Sequence, residues 1–271
     1  MMGIDIQHLA FLITGSLLVG MPLAMEAGRR ARLARVPRDG EGSDPGTGPL
    51  DASVYALFGL LLAFTFSGAA SRFDDRRALI IQETNAIGTA YLRVDLLPEA
   101  TQATLRPKFR DYVDSRLALH RNLGDPGAAR TEYLRSVELQ NRIWSLALAG
   151  AKETGSPAVL SLVLPALNEM IDITTTRLAA TRMHPPQIVY VMLVVVALAS
   201  SFLSGMAMAK SAKRPWLHIT AFTLVICAII YVILDIEVPR RGFIRVDAAD
   251  AMLIELRNSI AAGQSPAAPG S

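Results

Sequence analysis

Hydrophobic and polar positions fall into long separate blocks along this chain. Four stretches lack Asp, Glu, Lys and Arg over roughly the 17–25 residues with which a helix crosses a ~30 Å hydrocarbon core. These stretches are 9–25, 52–70, 188–209 and 216–234. Backbone polar groups must be paired inside a bilayer, so each stretch is predicted to form a transmembrane helix. The first lacks the basic leader of a secretory signal, which favours a retained helix.

Between the second and third stretches, the pattern changes to amphipathic helices. Apolar residues recur at helical spacing, and breaks occur at Pro98, at "NLGDPG", at Ser156-Pro157 and at "HPP". Short turns between amphipathic helices favour an up-down four-helix bundle. A last helix is expected at about 248–262, before a disordered tail. The predicted fold is therefore all-α, with four transmembrane helices and an extramembrane four-helix bundle, divided into regions 1–71, 72–186, 187–236 and 237–271.

Composition mainly argues against several classes of function and site. The hydrophobic fraction of 51% is ordinary, and the net charge of +3 is too small to indicate a nucleic-acid partner. The single cysteine, Cys227, excludes an intrachain disulfide, and the four histidines are not at metal-binding spacing. Motifs typical of hydrolases or metalloenzymes are missing from the sequence. We therefore expect no enzyme, no cofactor and no metal site.

The distribution of basic residues predicts sidedness. The loop after the first stretch begins with five arginines, and the short loop after the third holds Lys210, Lys213 and Arg214. By the positive-inside rule both loops face the cytoplasm. Segment 72–186 is then extracytoplasmic in a multi-pass protein of the cell membrane.

Small residues recur every four positions in the third hydrophobic stretch, at Ala197, Ser201 and Gly205. This spacing lets two helix backbones approach closely in a membrane. Packing within one chain is one interpretation, and a contact between subunits is the other.

A dense charged junction ends the second hydrophobic stretch, in "FTFSGAASRFDDRR". It suits the headgroup boundary, and i,i+3 spacing predicts the ion pairs Arg72–Asp75 and Asp74–Arg77. Asp235 and Glu237 lie at the edge of the fourth stretch, where they fit either an interfacial anchor or a charged vestibule. The junction comprises Arg72, Asp74, Asp75, Arg76 and Arg77.

Two segments carry a resemblance to a known family. "LLAFTFSGAASRFDDRRALIIQETNAIGTAYLRVDLLPE" (61–99) and "LDIEVPRRGFIRVD" (234–247) are similar to the bacterial bestrophin-like domain family, a membrane family of unassigned function. The similarity extends from end to end of the chain. It implies a location in the bacterial inner membrane.

A more distant resemblance connects the chain to bestrophin anion channels. It implies a homo-oligomer, a pentamer in those channels, that conducts an inorganic anion through a hydrophobic neck on the second helix. Leu57, Leu60 and Phe64 correspond to that neck. The channels place their first loop outside the cell, opposite to the sidedness that the arginines predict. The alternative function is a non-conducting membrane sensor or scaffold that acts through its helical bundle and a partner protein.

Overall fold

A computed structural model describes residues 6–39, 48–122, 125–209, 214–237 and 247–262. Within those ranges the regular structure is helical and no strand occurs. The helices are α1 (Ile6–Asp39), α2 (Gly48–Arg93), α3 (Glu99–Arg121), α4 (Pro126–Glu153), α5 (Pro157–Arg182), α6 (Gln187–Met208), α7 (Trp216–Ile236) and α8 (Asp247–Ala261), with a short 3-10 turn at Val94–Leu96 between α2 and α3. Four of the described helices are long and apolar enough to cross a membrane. The predicted all-α membrane fold is confirmed.

Helix α2 is the longest element, with 46 residues. At ~1.5 Å per residue it extends for roughly 70 Å, more than twice the ~30 Å hydrocarbon core, so it must continue beyond the membrane. It contains no proline after Pro49 to break it. The 3-10 turn that follows α2 ends where Leu97 adopts an extended conformation before Pro98, as the residue before a proline prefers.

Close contacts divide the chain into two compact units. The first unit comprises 1–73 and 184–244, and the second comprises 74–183 and 245–271. Residues 40–47, the basic residues Lys210 and Lys213, the segment 238–246 and the tail after Ala262 lie outside the described residues. The five arginines expected in the first loop lie instead at the end of α1, which continues to Asp39.

The first unit has a core of apolar and small side chains. α1 packs along α6, and α7 packs against α1. α2 contributes Phe58, Leu62 and Ala69 to this core. The other buried members come from α1, α6 and α7, and include Leu17, Met21, Leu193, Ala197, Ile226, Ile230 and Ile233.

The second unit is a helical bundle with a larger core. Asp125 caps α4 by accepting hydrogen bonds from the backbone N–H groups of Gly127 and Ala128, at 2.9 and 3.2 Å. The turn from α4 to α5 uses Gly155 at φ 63°, a left-handed conformation that favours glycine. Helix α8 also packs into this core through Leu253, Leu256 and Ile260. Arg257 holds α8 to α3 through Asp114, with Nε 2.9 Å from the carboxylate.

Candidate functional site

The membrane part of α2 has two opposite faces. One face is buried in the first unit and comprises Phe58, Leu62, Thr65 and Ala69, which follow helical spacing. The hydroxyl of Thr65 is internally satisfied, because it donates to the Leu61 carbonyl at 2.7 Å. This face therefore fixes how α2 is oriented around its own axis.

The opposite face of α2 holds the predicted neck residues. Leu57, Leu60 and Phe64 are 59%, 51% and 68% exposed in the single chain. Their spacing of three and four residues puts them on one side of the helix. Ser67 and Ser71 follow on the same side, one and two turns further along, and are exposed as well. Along this side of α2, three large apolar side chains are thus followed by two hydroxyl groups. We call Leu57, Leu60, Phe64, Ser67 and Ser71 the outer face of α2.

The charged junction is anchored by an ion pair that the sequence did not predict. Arg72 binds Glu237, with Nε 2.9 Å from Oε1 and a second contact from Nη2. Its guanidinium lies over Gly68, where a side chain would meet Nη1 at 3.2 Å. Helical side chains point back toward the N-terminus, so Arg72 reaches one turn backwards and away from Asp75. The expected Arg72–Asp75 pair is therefore wrong.

Glu237 is the most deeply buried charge at this junction, with 1% of its side chain exposed. Its second carboxylate oxygen lies 3.4 Å from Nδ1 of His184. The carboxylate at the end of α7 thus contacts both Arg72 of α2 and His184, which lies shortly before α6. All three residues belong to the first unit. Of the two interpretations of this edge residue, the geometry supports the anchor.

The other charges of the junction divide into one buried and three exposed groups. Arg76 is buried and donates to the carbonyls of Ala180 and Met183, at 3.2 and 2.9 Å. These carbonyls end α5, where helices leave acceptors unpaired. Arg77 and Asp74 form the expected i,i+3 pair at 3.7 Å, with side chains 50% and 71% exposed. Asp75 is also exposed.

The small-residue motif of α6 packs against α1 of the same chain. Ala197 and Ser201 are fully buried, and Ser201 donates its hydroxyl to the Ala197 carbonyl at 2.8 Å. A side chain at Gly205 would collide with the backbone of Met25. Gly28 of α1 has the reciprocal position against the backbone of Phe202. Two glycines, one on each helix, therefore let the α1 and α6 backbones touch.

Sequence reasoning missed a buried charge cluster in the second unit. Glu83 is fully buried and pairs with two arginines, Arg116 through Nε at 2.6 Å and Arg177 through Nη1. Burial lowers the pKa of the Arg116 guanidinium from its ordinary value. A sequence signal existed, because Glu83 occupies the apolar stripe of α2 between the buried residues Ile80 and Ile87. Its partners are 33 and 94 positions away along the chain and could not be identified from it.

Potential metal ligands are dispersed. Among the described residues, no group of three or more His, Cys, Asp and Glu side chains is placed to hold a metal ion.

Comparison with known proteins agrees with this architecture. A family model, the Bestrophin-like domain, matches residues 17–251. That range includes the outer face of α2, the Arg72–Glu237 anchor, the bundle and the α1–α6 contact. No curated protein and no solved structure matches the chain. Since the family model covers most of the 271 residues, the chain belongs to the Bestrophin-like domain family.

Proposed function

We propose that this bestrophin-like membrane protein is one subunit of a homo-oligomeric ring, a pentamer by resemblance, that conducts inorganic anions. The outer faces of α2 from all subunits line the axis. Leu57, Leu60 and Phe64 form the apolar neck, and Ser67 and Ser71 form a polar exit. The ion class rests on the resemblance to bestrophin anion channels.

The two-faced character of α2 carries this proposal. Burial of Phe58 and Leu62 on one side leaves Leu60 and Phe64 pointing away from the chain's own helices. Lipid is one environment for such a face, and an axial neck is the other. The neighbouring Ser67 and Ser71 favour the neck, because a pore wall gives hydroxyl groups access to water that lipid withholds.

An apolar constriction also supplies a gate. Rings of large apolar side chains exclude water from a narrow pore, and conduction requires the ring to widen and become wet. Replacing Leu60 and Phe64 by alanine removes the bulk that closes it. We therefore expect the Leu60→Ala/Phe64→Ala variant to pass anions faster than wild type.

Chloride flux from reconstituted liposomes tests the function. The matched control replaces Leu18 and Leu224, which are 46% and 53% exposed on α1 and α7, by alanine. The neck variant should raise flux several-fold over wild type, whereas the control should leave it unchanged. Flux equal to that of protein-free liposomes for wild type and neck variant, both correctly folded, would replace the channel with the non-conducting scaffold.

The sidedness of the bundle is a separate proposal. We place 72–186 outside the cytoplasm of the bacterial inner membrane, on the strength of the basic loops. Single cysteines at the exposed Ser145 and at Ser211, in a Cys227→Ser background, report it in intact cells. An impermeant thiol reagent should label position 145 and spare 211. The reverse pattern would restore the orientation of the bestrophin channels.

A further inference from the structure

A pocket lies in the first unit at the basic end of the membrane helices. Its volume is about 260 Å³, and α1, α6 and α7 all contribute to its wall. The wall is mixed: apolar side chains form most of it, and charged groups form the rest. The apolar part comprises Pro22, Leu23, Met25, Met208, Pro215, Trp216 and Ile219; the charged part comprises Glu26, Arg29, Arg30 and Arg214.

The charges of this pocket do not cancel. Glu26 binds Arg30 at 2.8 Å and Arg214 at 3.1 Å, so one carboxylate holds two guanidinium groups in place. Arg29 is partly buried at the pocket wall, where its charge acts on Glu26, and none of the described residues forms an ion pair or hydrogen bond with it. Three guanidinium groups against one carboxylate leave a net positive site with unused donors. Such a site attracts an anion with several acceptor oxygens.

The apolar wall decides which kind of anion fits. Leu23 and Trp216, which line the pocket, are 64% and 61% exposed. Arg214 stacks over the Trp216 ring, 5.9 Å from its centroid. Tryptophan beside arginine is typical of the membrane–water interface. A soluble phosphate would use the arginines but leave this apolar surface unoccupied.

We propose that this pocket binds the headgroup phosphate of an anionic phospholipid. Arg29 and Arg30 coordinate the phosphate together with Arg214, and the first carbons of an acyl chain lie along Leu23 and Trp216. The bound lipid belongs to the leaflet at the α1–α6–α7 basic end. This site does not depend on whether the protein conducts ions.

Native mass spectrometry of the full-length protein in detergent tests the site. The probes are phosphatidylglycerol and phosphatidylcholine with identical acyl chains. Wild type should bind phosphatidylglycerol at least about tenfold more tightly, because only that lipid brings an unneutralised phosphate to the arginines. Arg29→Ala should weaken phosphatidylglycerol binding about tenfold, the size expected for a charge-assisted contact. Arg29→Lys should give an intermediate loss, since lysine keeps the charge and lacks the planar fork.

Arg32→Ala is the matched control. Arg32 lies on the same helix, one turn beyond the pocket wall, and its removal subtracts the same charge. Arg32 does not line the pocket, so its removal weakens only the general attraction for an anionic lipid and should reduce binding clearly less than the removal of Arg29. Equal losses for Arg29→Ala and Arg32→Ala would show diffuse attraction and overturn the proposal.

The source of the phosphate is tested in the same titration. If inorganic phosphate binds wild type as tightly as phosphatidylglycerol, with the same dependence on Arg29, the pocket is a soluble-anion site and the lipid assignment is wrong. Folding is checked by size-exclusion chromatography. Arg29→Gln provides a second neutral variant should Arg29→Ala misfold, and full retention of phosphatidylglycerol by it would equally contradict the proposal.

Discussion

Both units of this protein are helical, but they bury different kinds of side chain. Along its apolar helices the membrane unit brings backbones together at glycines, as at Gly28 and Gly205, and its buried carboxylates, Asp235 and Glu237, lie at the end of α7. The bundle instead buries Glu83 with two arginines in its interior. Lipid offers no hydrophobic driving force between helices, so close backbone packing has to provide the attraction. Water provides that force for the bundle, which can then tolerate the desolvation of a charge cluster.

An exposed side chain also has a different meaning in each of the two units. In the bundle, exposed charged positions such as Glu138 and Arg142 need no further explanation. Along the membrane helices, large apolar side chains such as Leu18 and Leu224 are exposed, and exposure alone does not separate lipid from a neighbouring subunit. The outer face of α2 is informative because it passes from Phe64 to Ser67 and Ser71 along one side of one helix.

The largest expected effect comes from the α1–α6 contact. Gly205→Val places a branched side chain into the backbone of Met25, where no side chain can move aside. We expect loss of folded protein, beyond the 1–3 kcal/mol typical of an overpacked core. Gly15→Ala is the control, because a methyl group there meets no atom within 4 Å. Size-exclusion profiles in detergent compare the two, and a monodisperse Gly205→Val protein would refute the close contact.

The next largest effect concerns the buried charge cluster of the bundle. Glu83→Gln removes the buried carboxylate that Arg116 and Arg177 share. Removing one partner from a buried ion pair costs about 3–5 kcal/mol, so the thermal midpoint of the helical signal should fall by several degrees. Arg106→Ala removes a pair that is 37% and 58% exposed, Arg106–Asp95, and should cost no more than about 1 kcal/mol. Equal shifts for both variants would mean that Glu83 is hydrated.

Within the charged junction, Arg72 and Arg77 should behave differently. Arg72→Ala leaves the buried Glu237 without its arginine, which costs about 1–3 kcal/mol. Arg77→Ala breaks a pair that is mostly exposed, worth roughly 0.3–0.5 kcal/mol in a helix. Thermal unfolding in detergent should therefore show a clear shift for Arg72→Ala and almost none for Arg77→Ala. The opposite order would contradict the anchor.

These contrasts show which features the sequence could predict. Local patterns were sufficient for the helices: stretches without charge predicted the four membrane helices, and the proline signals predicted the helix boundaries near Pro98, Pro126 and Pro157. Contacts between residues far apart in sequence could not be predicted, because periodicity indicates which side of a helix is buried but not which helix packs against that side. Glu237 is 165 positions from Arg72 in the sequence. The contact between α8 and α3 joins Arg257 to Asp114, which are 143 positions apart. The i,i+3 spacing pointed to Asp75 as the partner of Arg72, whereas in the structure Arg72 pairs with the carboxylate of Glu237.

A further small effect at neutral pH concerns the buried Tyr112. Burial raises the pKa of its hydroxyl above the ordinary value, and Gln140 donates to the hydroxyl oxygen at 3.0 Å. Because the folded pKa is the higher one, this stabilisation is complete below the unfolded pKa of ~10 and is lost as pH rises through the folded pKa. Tyr112→Phe should cost about 0.5–1.5 kcal/mol at pH 7. It should also reduce the steepness of unfolding in alkali, measured by circular dichroism. An unchanged alkaline slope would show that Tyr112 reaches solvent before unfolding.

The central claim, that the outer face of α2 meets its counterparts at an axis, is tested most directly by cross-linking between copies. Leu60→Cys in a Cys227→Ser background places one thiol per subunit on that face. Mild oxidation of the native membrane should give covalent dimers on a non-reducing gel, because thiols around a narrow neck approach one another. Leu224→Cys on α7, 53% exposed, is the matched control on a helix outside the proposed neck and should remain monomeric. Dimers for Leu224→Cys but not for Leu60→Cys would mean that the outer face of α2 faces lipid, and the pore would have to be abandoned.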